Sequence, residues 1–258
     1  MREFSYSIFH KLISSLSEKN KNICTFLSHL NNPRIACSIL RHDVDKMPQN
    51  ALDFARLEHE MGISASYYFR IVPQSFNPKI IKEIASLGHE IGYHYEDMDL
   101  CSGDLDKAYA SFQKNLAKLR EIAPIQTICM HGSPLSKYDN RDLWKKYDYR
   151  ELGIVGEPYF DIDYSKVFYL TDTGRKWNSM DASIRDKVAS SFHIEIKNTQ
   201  HLIQLIREGK LPDQIMINTH PQRWNDNLLL WTRELLWQTL KNQAKKIVVK
   251  LRRDVREG

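Results

Sequence analysis

Asp43 and Asp45 are the residues most able to do chemistry together. They lie in Arg41-His42-Asp43-Val44-Asp45, at the polar end of an apolar run that starts near residue 35. On a regular strand, side chains two residues apart project to the same face. Two carboxylates brought together repel, and one pKa rises unless a cation sits beside them. A divalent metal ion resolves that conflict and leaves one acid able to act as a base. The alternative is an exposed acidic turn that caps the following helix.

Four more polar clusters stand near strand-like runs. Gly88-His89-Glu90-Ile91-Gly92-Tyr93-His94-Tyr95-Glu96-Asp97 has a histidine near each end of its strand. A neutral imidazole at the strand tip, His94, is a natural ligand for Zn²⁺ and similar ions. His89 follows the helix-ending Gly88 and reads better as a hydrogen-bonded core residue. The remaining three are Met130-His131-Gly132-Ser133-Pro134, Thr171-Asp172-Thr173-Gly174-Arg175-Lys176-Trp177-Asn178 and Asn218-Thr219-His220-Pro221. Each alone has a plain alternative: His131 as packing, His220-Pro221 as a strand stop. Together they put five polar clusters at strand ends, which is where parallel α/β folds assemble active sites.

The elements that must position these clusters alternate. Strand patterns cover residues 35–45, 64–72, 89–96, 126–132 and 214–220, with further candidates at 153–155 and 166–170. Helical spacing covers 48–62, 77–88, 104–123, 140–148, 199–208 and most of 225–253, where IVVK could form a late strand. Residues 48–62 open with Pro and close with Gly, a sound start and stop. Such alternation predicts parallel strands covered by helices. Periodicity does not choose between an open sheet and a barrel, but polar residues at several C-terminal strand tips favour the barrel. With no linker, repeat or low-complexity segment, residues 1–258 read as one domain. Its motif-bearing core spans about 35–221, with an N-terminal helix and a basic helical C-terminal tail as extensions.

Composition narrows the classes. The chain has 258 residues, 42% of them hydrophobic and 27% charged, which suits a folded core and not a disordered chain. No apolar run reaches the roughly 18 residues of a transmembrane helix. The first 20 residues lack the apolar core and cleavage site of a signal peptide and read as an amphipathic helix. Of the four cysteines none forms a CxxC pair; Cys37 and Cys129 lie in apolar runs and are expected to be small core residues in a reducing, cytoplasmic setting. The net charge of +5 is concentrated in KNQAKKIVVKLRRDVREG. A nucleic-acid or anionic-membrane patch is weighed against a solvated helix end, and the lack of interleaved aromatics favours the latter over nucleic acid.

In order, these clusters resemble the five motifs of the polysaccharide deacetylases, the NodB-homology family of carbohydrate esterases. Residues 41–45 resemble the Phe-Asp-Asp that ends the family's first strand. GHEIGYH (88–94) is very similar to Gly-His-Glu-Ile-Gly-x-His; TDTGRKW (171–177) resembles the fourth motif and INTH (217–220) the fifth. The resemblance implies a distorted (β/α) barrel of about seven parallel strands with a catalytic divalent metal. It departs at Val44, which separates the acids, at Met98, where the family has a second histidine, and at His131, where the third motif has an arginine that orients the base. The His-Asp-Val-Asp form is similar to an atypical branch associated with surface-polysaccharide synthesis.

By resemblance, Asp45 and His94 hold the metal, and His131, Glu96, Asp97 or water completes the site, with His131 preferred. Asp43 takes a proton from water, and His220, held cationic by Asp172, protonates the leaving amine. Trp177 and Tyr95 are the expected substrate contacts, Trp177 as a pocket wall able to stack on a sugar. Zn²⁺, Co²⁺, Ni²⁺ or Fe²⁺ would suit such mixed ligands. The implied substrate is an N-acetylated sugar or polysaccharide precursor. Two other readings stand beside this one: a weakly active or inactive barrel that binds a sugar or protein, and a basic nucleic-acid-binding protein.

Overall fold

Runs rich in β-branched and aromatic residues form seven strands, and the amphipathic runs between them form helices. The structure, a computed structural model, describes residues 2–19, 22–133, 136–177 and 188–257, with 244–257 as backbone alone. The order is α1 (Tyr6–Glu18), β1 (Ile23–Cys24), α2 (Phe26–Asn31), β2 (Cys37–Val44), α3 (Pro48–Glu60), β3 (Ser66–Phe69), α4 (Pro78–Ser86) and β4 (Glu90–Tyr95). It continues with α5 (Asp97–Leu100), α6 (Leu105–Arg120), β5 (Ile125–Met130), α7 (Pro158–Asp161), β6 (Phe168–Thr171), α8 (Thr199–Arg207), β7 (Gln214–Thr219) and α9 (Leu228–Glu257). The predicted helix at 140–148 is a 3₁₀ segment, Asn140–Lys145, and IVVK lies within α9. The expected strand at 153–155 is reduced to a bridge between Thr127 and Gly156. Pro134 and Asn178 lie outside the described residues, as do the side chains of the basic tail from residue 244.

All paired strands are parallel, in the order β5-β4-β3-β2-β7-β6. Alternation along the strands sorts the core into two layers. Cys37, Ile39, Tyr68, Cys129, Tyr169 and Met216 share one apolar cluster. Their neighbours Leu40, Tyr67, Phe69, Ile128, Met130, Phe168, Leu170, Ile215 and Ile217 belong to the other, packed under the helices. Cys129 and Tyr169, from the two ends of the strand order, thus belong to one inner cluster, so the sheet curls into a distorted barrel. Among the described residues β5 and β6 do not pair; Val155 N–H donates to Gln126 O at 2.8 Å, so the 154–157 segment stands beside β5 in that gap.

Gly92 makes the interior possible. A Cβ built there would lie 2.3 Å from the Tyr68 ring, which crosses β4 to donate to Thr127 Oγ1 at 3.0 Å. The lower mouth is plugged by α2. Its Phe26 N–H donates to Ser66 Oγ (2.8 Å) and its Leu27 N–H to Glu90 Oε2 (2.9 Å), while Glu90 also accepts from Ser66 and Thr127. β1 fills the edge of β2 below the start of β3, pairing Ile23 with Ser38 and Cys24 with Ile39.

Glu157 fixes the wall near the gap. It is fully buried, caps α7 and accepts from Met130 N at 2.9 Å. Burial, only partly offset by backbone donors and by Arg41 and Arg141, raises its pKa from 4.5 to about 7. A raised carboxyl pKa gives stability that is full below about 4.5 and lost as pH rises through about 7. Relative to Glu157→Gln, the wild type should therefore lose roughly 3 kcal/mol across that window, at 1.36 kcal/mol per pH unit. Denaturant unfolding of both proteins at a series of pH values checks this; a difference that does not vary with pH would refute the assignment.

Candidate metal centre and active site

The inward phase that places Cys37 and Ile39 in the core carries on to Arg41 and Asp43 at the upper end of β2. Both are buried, and Arg41 grips Asp43 with two bonds, Nε to Oδ1 at 2.9 Å and Nη2 to Oδ2 at 2.7 Å. Asn218 of β7 donates to the same Oδ2 at 2.9 Å. The guanidinium also lies over the rings of Tyr68 and Tyr159. Burial works against ionisation of Asp43, but Arg41, His94 and His220 outweigh it and hold the carboxyl below the usual range.

Asp45 follows β2 and meets two histidines. His94 Nδ1 donates to Cys129 O at 2.9 Å, which turns Nε2 toward Asp45 Oδ1 at 3.5 Å and Asp43 Oδ2 at 4.0 Å. His131, just past β5, presents Nε2 at 3.7 Å from the same Asp45 oxygen. Its Nδ1 stands 3.0 Å from Glu96, and Asn140 donates to its carbonyl at 2.8 Å. A ring nitrogen facing the ion while the other contacts a carbonyl or carboxylate is the usual arrangement of a metal-binding histidine.

The charges favour a cation at one place. Glu96 is gripped by Arg70 at 3.0 and 2.7 Å, and together His131 and Arg70 overcome burial and bring its pKa down to about 2. Asp172 is paired with Arg223 at 2.6 Å. Asp43, Glu96 and Asp172 each have an arginine; Asp45 has none among the described residues. Asp45 Oδ2 accepts from Gln222 at 2.9 Å, whereas its buried Oδ1 has no hydrogen-bond partner. The Asp45, His94 and His131 donor atoms lie within 4.8 Å of one another. Bonds of 2.0–2.1 Å to a tetrahedral Zn²⁺ require edges of about 3.3–3.4 Å, close to the 3.5 and 3.7 Å found around Asp45 Oδ1. These residues therefore fit a divalent ion with mixed N and O ligands. A second set, Asp43, His94 and Cys129, is equally compact, but Arg41 and Asn218 already occupy Asp43.

His220 forms the other flank. Its Nδ1 is 2.7 Å from Asp172 Oδ1 and its backbone N–H donates to Oδ2 at 3.1 Å. Trp224 Nε1 donates to Oδ2 at 2.7 Å, so Asp172 is fixed from several sides. Arg223 competes for the carboxylate, with Nη1 2.8 Å from His220 Nδ1. Burial opposes ionisation of Asp172, but Arg223 and His220 hold its pKa below the usual range.

The structure thus gathers Asp43, Asp45, His94, His131, His220 and Asp172, and it corrects two expectations. Tyr95 is one residue beyond His94 and faces the helices, packed on Phe112 and accepting from Trp144 Nε1 at 2.9 Å. Trp177 is 5% exposed, donates to Thr199 at 3.0 Å and lies edge-on to Trp224. Neither reaches the carboxylate–histidine cluster. Asp97 is taken up by Tyr93, Ser111 and Asn115, which removes it as a ligand alternative. His42 of the first motif points outward to Glu58 (2.8 Å) and Thr219 (2.7 Å), and His89 bridges Ala55 O and Ala65 N. Sequence reasoning missed Arg41, although the two-residue spacing to Asp43 marks it; it also missed Arg70, Asn218, Gln222 and Arg223.

No protein-family model matches the chain, and no curated protein matches its sequence. Among solved structures it is similar to that of Bacillus subtilis PdaA, described as a family 4 carbohydrate esterase, at 13% identity and a TM-score of 0.36, covering 90% of this chain and 84% of that one. A likeness at that level establishes neither family membership nor activity.

His94 has its pKa raised: burial lowers it, but Asp43 and Asp45 more than compensate. A proton then competes with the ion for Nε2, so metal affinity should fall as pH falls through that raised pKa. His94→Ala should lose one equivalent of bound metal and weaken affinity at this centre by about a hundredfold or more, beyond the usual cost of an outer partner. Metal analysis and titration at several pH values test both points. An unchanged number of equivalents in the folded variant would remove His94 from the ligand set.

Proposed function

We propose that the chain is a metal-dependent hydrolase that removes N-acetyl groups from an amino sugar. The observation that carries this reading is Asp45 Oδ1, buried without a hydrogen-bond partner and faced by His94 and His131. Asp43 and the His220–Asp172 pair supply groups for moving protons beside it. The link to surface-polysaccharide metabolism rests on the likeness of the first motif alone.

Asp45, His94 and His131 would hold the ion, with Glu96 behind His131. When bound, the ion supplies Lewis acidity, which polarises a carbonyl and makes water more acidic. Asp43, kept ionised and oriented by Arg41 and Asn218, accepts the proton of the attacking water. His220 delivers a proton to the departing nitrogen, which an amide needs in order to cleave. Asp172 fixes the His220 ring through Nδ1, so Nε2 is the nitrogen available for that transfer.

The two proton-handling groups are separable from the ion. Asp43→Asn and His220→Ala should each lower kcat for acetate release from N-acetylated amino-sugar oligosaccharides by roughly a hundredfold or more. His220→Ala should keep its full metal content. Because Asp43 is held ionised, loss of activity on the acid side should track metal release measured over the same pH range. Near-wild-type turnover of His220→Ala would end its role as the acid; loss of its metal would make it a ligand. Absence of acetate release from every N-acetylhexosamine substrate by the fully metal-loaded wild type would overturn the deacetylase reading.

A further inference from the structure

The other end of β2 carries a second donor set. Cys24 of β1 pairs in register with Ile39, so Cys37, two residues earlier, is its diagonal neighbour. Thr25 caps α2, its Oγ1 accepting from Ser28 N at 3.0 Å, and the last turn of that short helix carries His29 to Cys37 of β2. All three residues hold free side-chain donors in the chemical sense that matters here: both sulfurs are unoxidised thiols, and the three donor atoms lie within 4.8 Å of one another. Cys37 Sγ is 3.5 Å from His29 Nδ1.

One of these spacings already has the length of a metal-polyhedron edge, and all three donors are near enough to share an ion. A tetrahedral Zn²⁺ with bonds of 2.3 Å to sulfur and 2.0–2.1 Å to nitrogen has an S···N edge of about 3.5 Å. The observed contact of 3.5 Å already has that length. Cys37 is buried, whereas Cys24 and His29 are partly exposed, which gives an ion a way in from the surface. Asp43 is six residues up the strand, about 20 Å away at 3.3 Å per residue, so this set is separate from the upper centre.

We infer that Cys24, His29 and Cys37 form a second metal site, a Cys₂His set for a thiophilic divalent ion such as Zn²⁺, with water in the fourth position. The bound ion ties β1 and the α2 plug to β2 and so closes the lower mouth of the barrel.

Cobalt titration of the reduced, metal-free full chain tests this, because sulfur ligation gives a near-ultraviolet charge-transfer band that N and O ligands do not. The band should appear with one equivalent at this site and vanish on addition of Zn²⁺. It should persist in His94→Ala and in Cys129→Ser, which places it away from the upper centre. It should be lost in Cys24→Ser, a partly exposed position where serine is tolerated. Zn²⁺ should also slow reaction of two thiols with a disulfide reagent in the wild type, a readout that needs no variant. Absence of the band in the reduced wild type, or its persistence in folded Cys24→Ser, would overturn the site.

Discussion

A carboxylate inside a barrel must find a cation or, like Glu157, keep its proton, because taking an isolated charge out of water costs several kcal/mol even after relaxation. The upper half of this barrel meets the demand with arginines: Arg41 for Asp43, Arg70 for Glu96 and Arg223 for Asp172. Each pair holds a side chain that borders the site, so charge compensation and positioning are achieved by the same contacts. Breaking such a pair from one side leaves an uncompensated buried charge, typically at about 3–5 kcal/mol. Asp45 departs from the pattern. Its compensation comes from His94 and His131, whose ring nitrogens can exchange a proton for a metal ion, whereas an arginine cannot.

Strand alternation explains what the sequence made legible. Asp43 and Asp45 share a phase, and both approach His94 as the two-residue spacing required. The same phase puts Arg41 beside Asp43 and turns His42 and Tyr95 to the helical side. Counting residues was therefore enough to bring Asp43 and Asp45 to one face beside His94 and would have been enough to turn Tyr95 away from it. Trp177 could not be settled that way. It follows a 3₁₀ turn after β6 with Gly174 and Arg175 at positive φ, beyond which no simple period tells which way a side chain faces. Arg70 and Gln222 were also out of reach, because their partners Glu96 and Asp45 come from distant segments brought together only by the parallel register.

The layer behind the sheet gives the site its stiffness. Glu58 of α3 accepts from Tyr67 at 2.6 Å and pairs with His42 at 2.8 Å, while His42 also contacts Thr219 at 2.7 Å. One buried polar network thus links α3, β2, β3 and β7, the strands that carry Asp43 and Asn218 inward. Buried networks of this kind are costly when incomplete and restrictive when satisfied. His42, and His89 as expected of a hydrogen-bonded core residue, act here by holding the strands that bear the site.

Tight positioning has a chemical consequence at Asp43. Arg41 and Asn218 orient the carboxylate, yet the positive charge that orients it also makes it a weaker base. A proton arriving at Asp43 must weaken the Arg41 pairing, so transfer is favoured only while the source of the proton is unusually acidic. Ordinary water does not meet that condition. Water beside a divalent ion does, with a pKa that can fall to about 7. The low proton affinity of Asp43 and the orphan oxygen of Asp45 therefore point the same way. An arginine-clamped Asp43 suits the proposed base only beside a cation, and among the described residues the neighbouring Asp45 faces two histidines in place of an arginine.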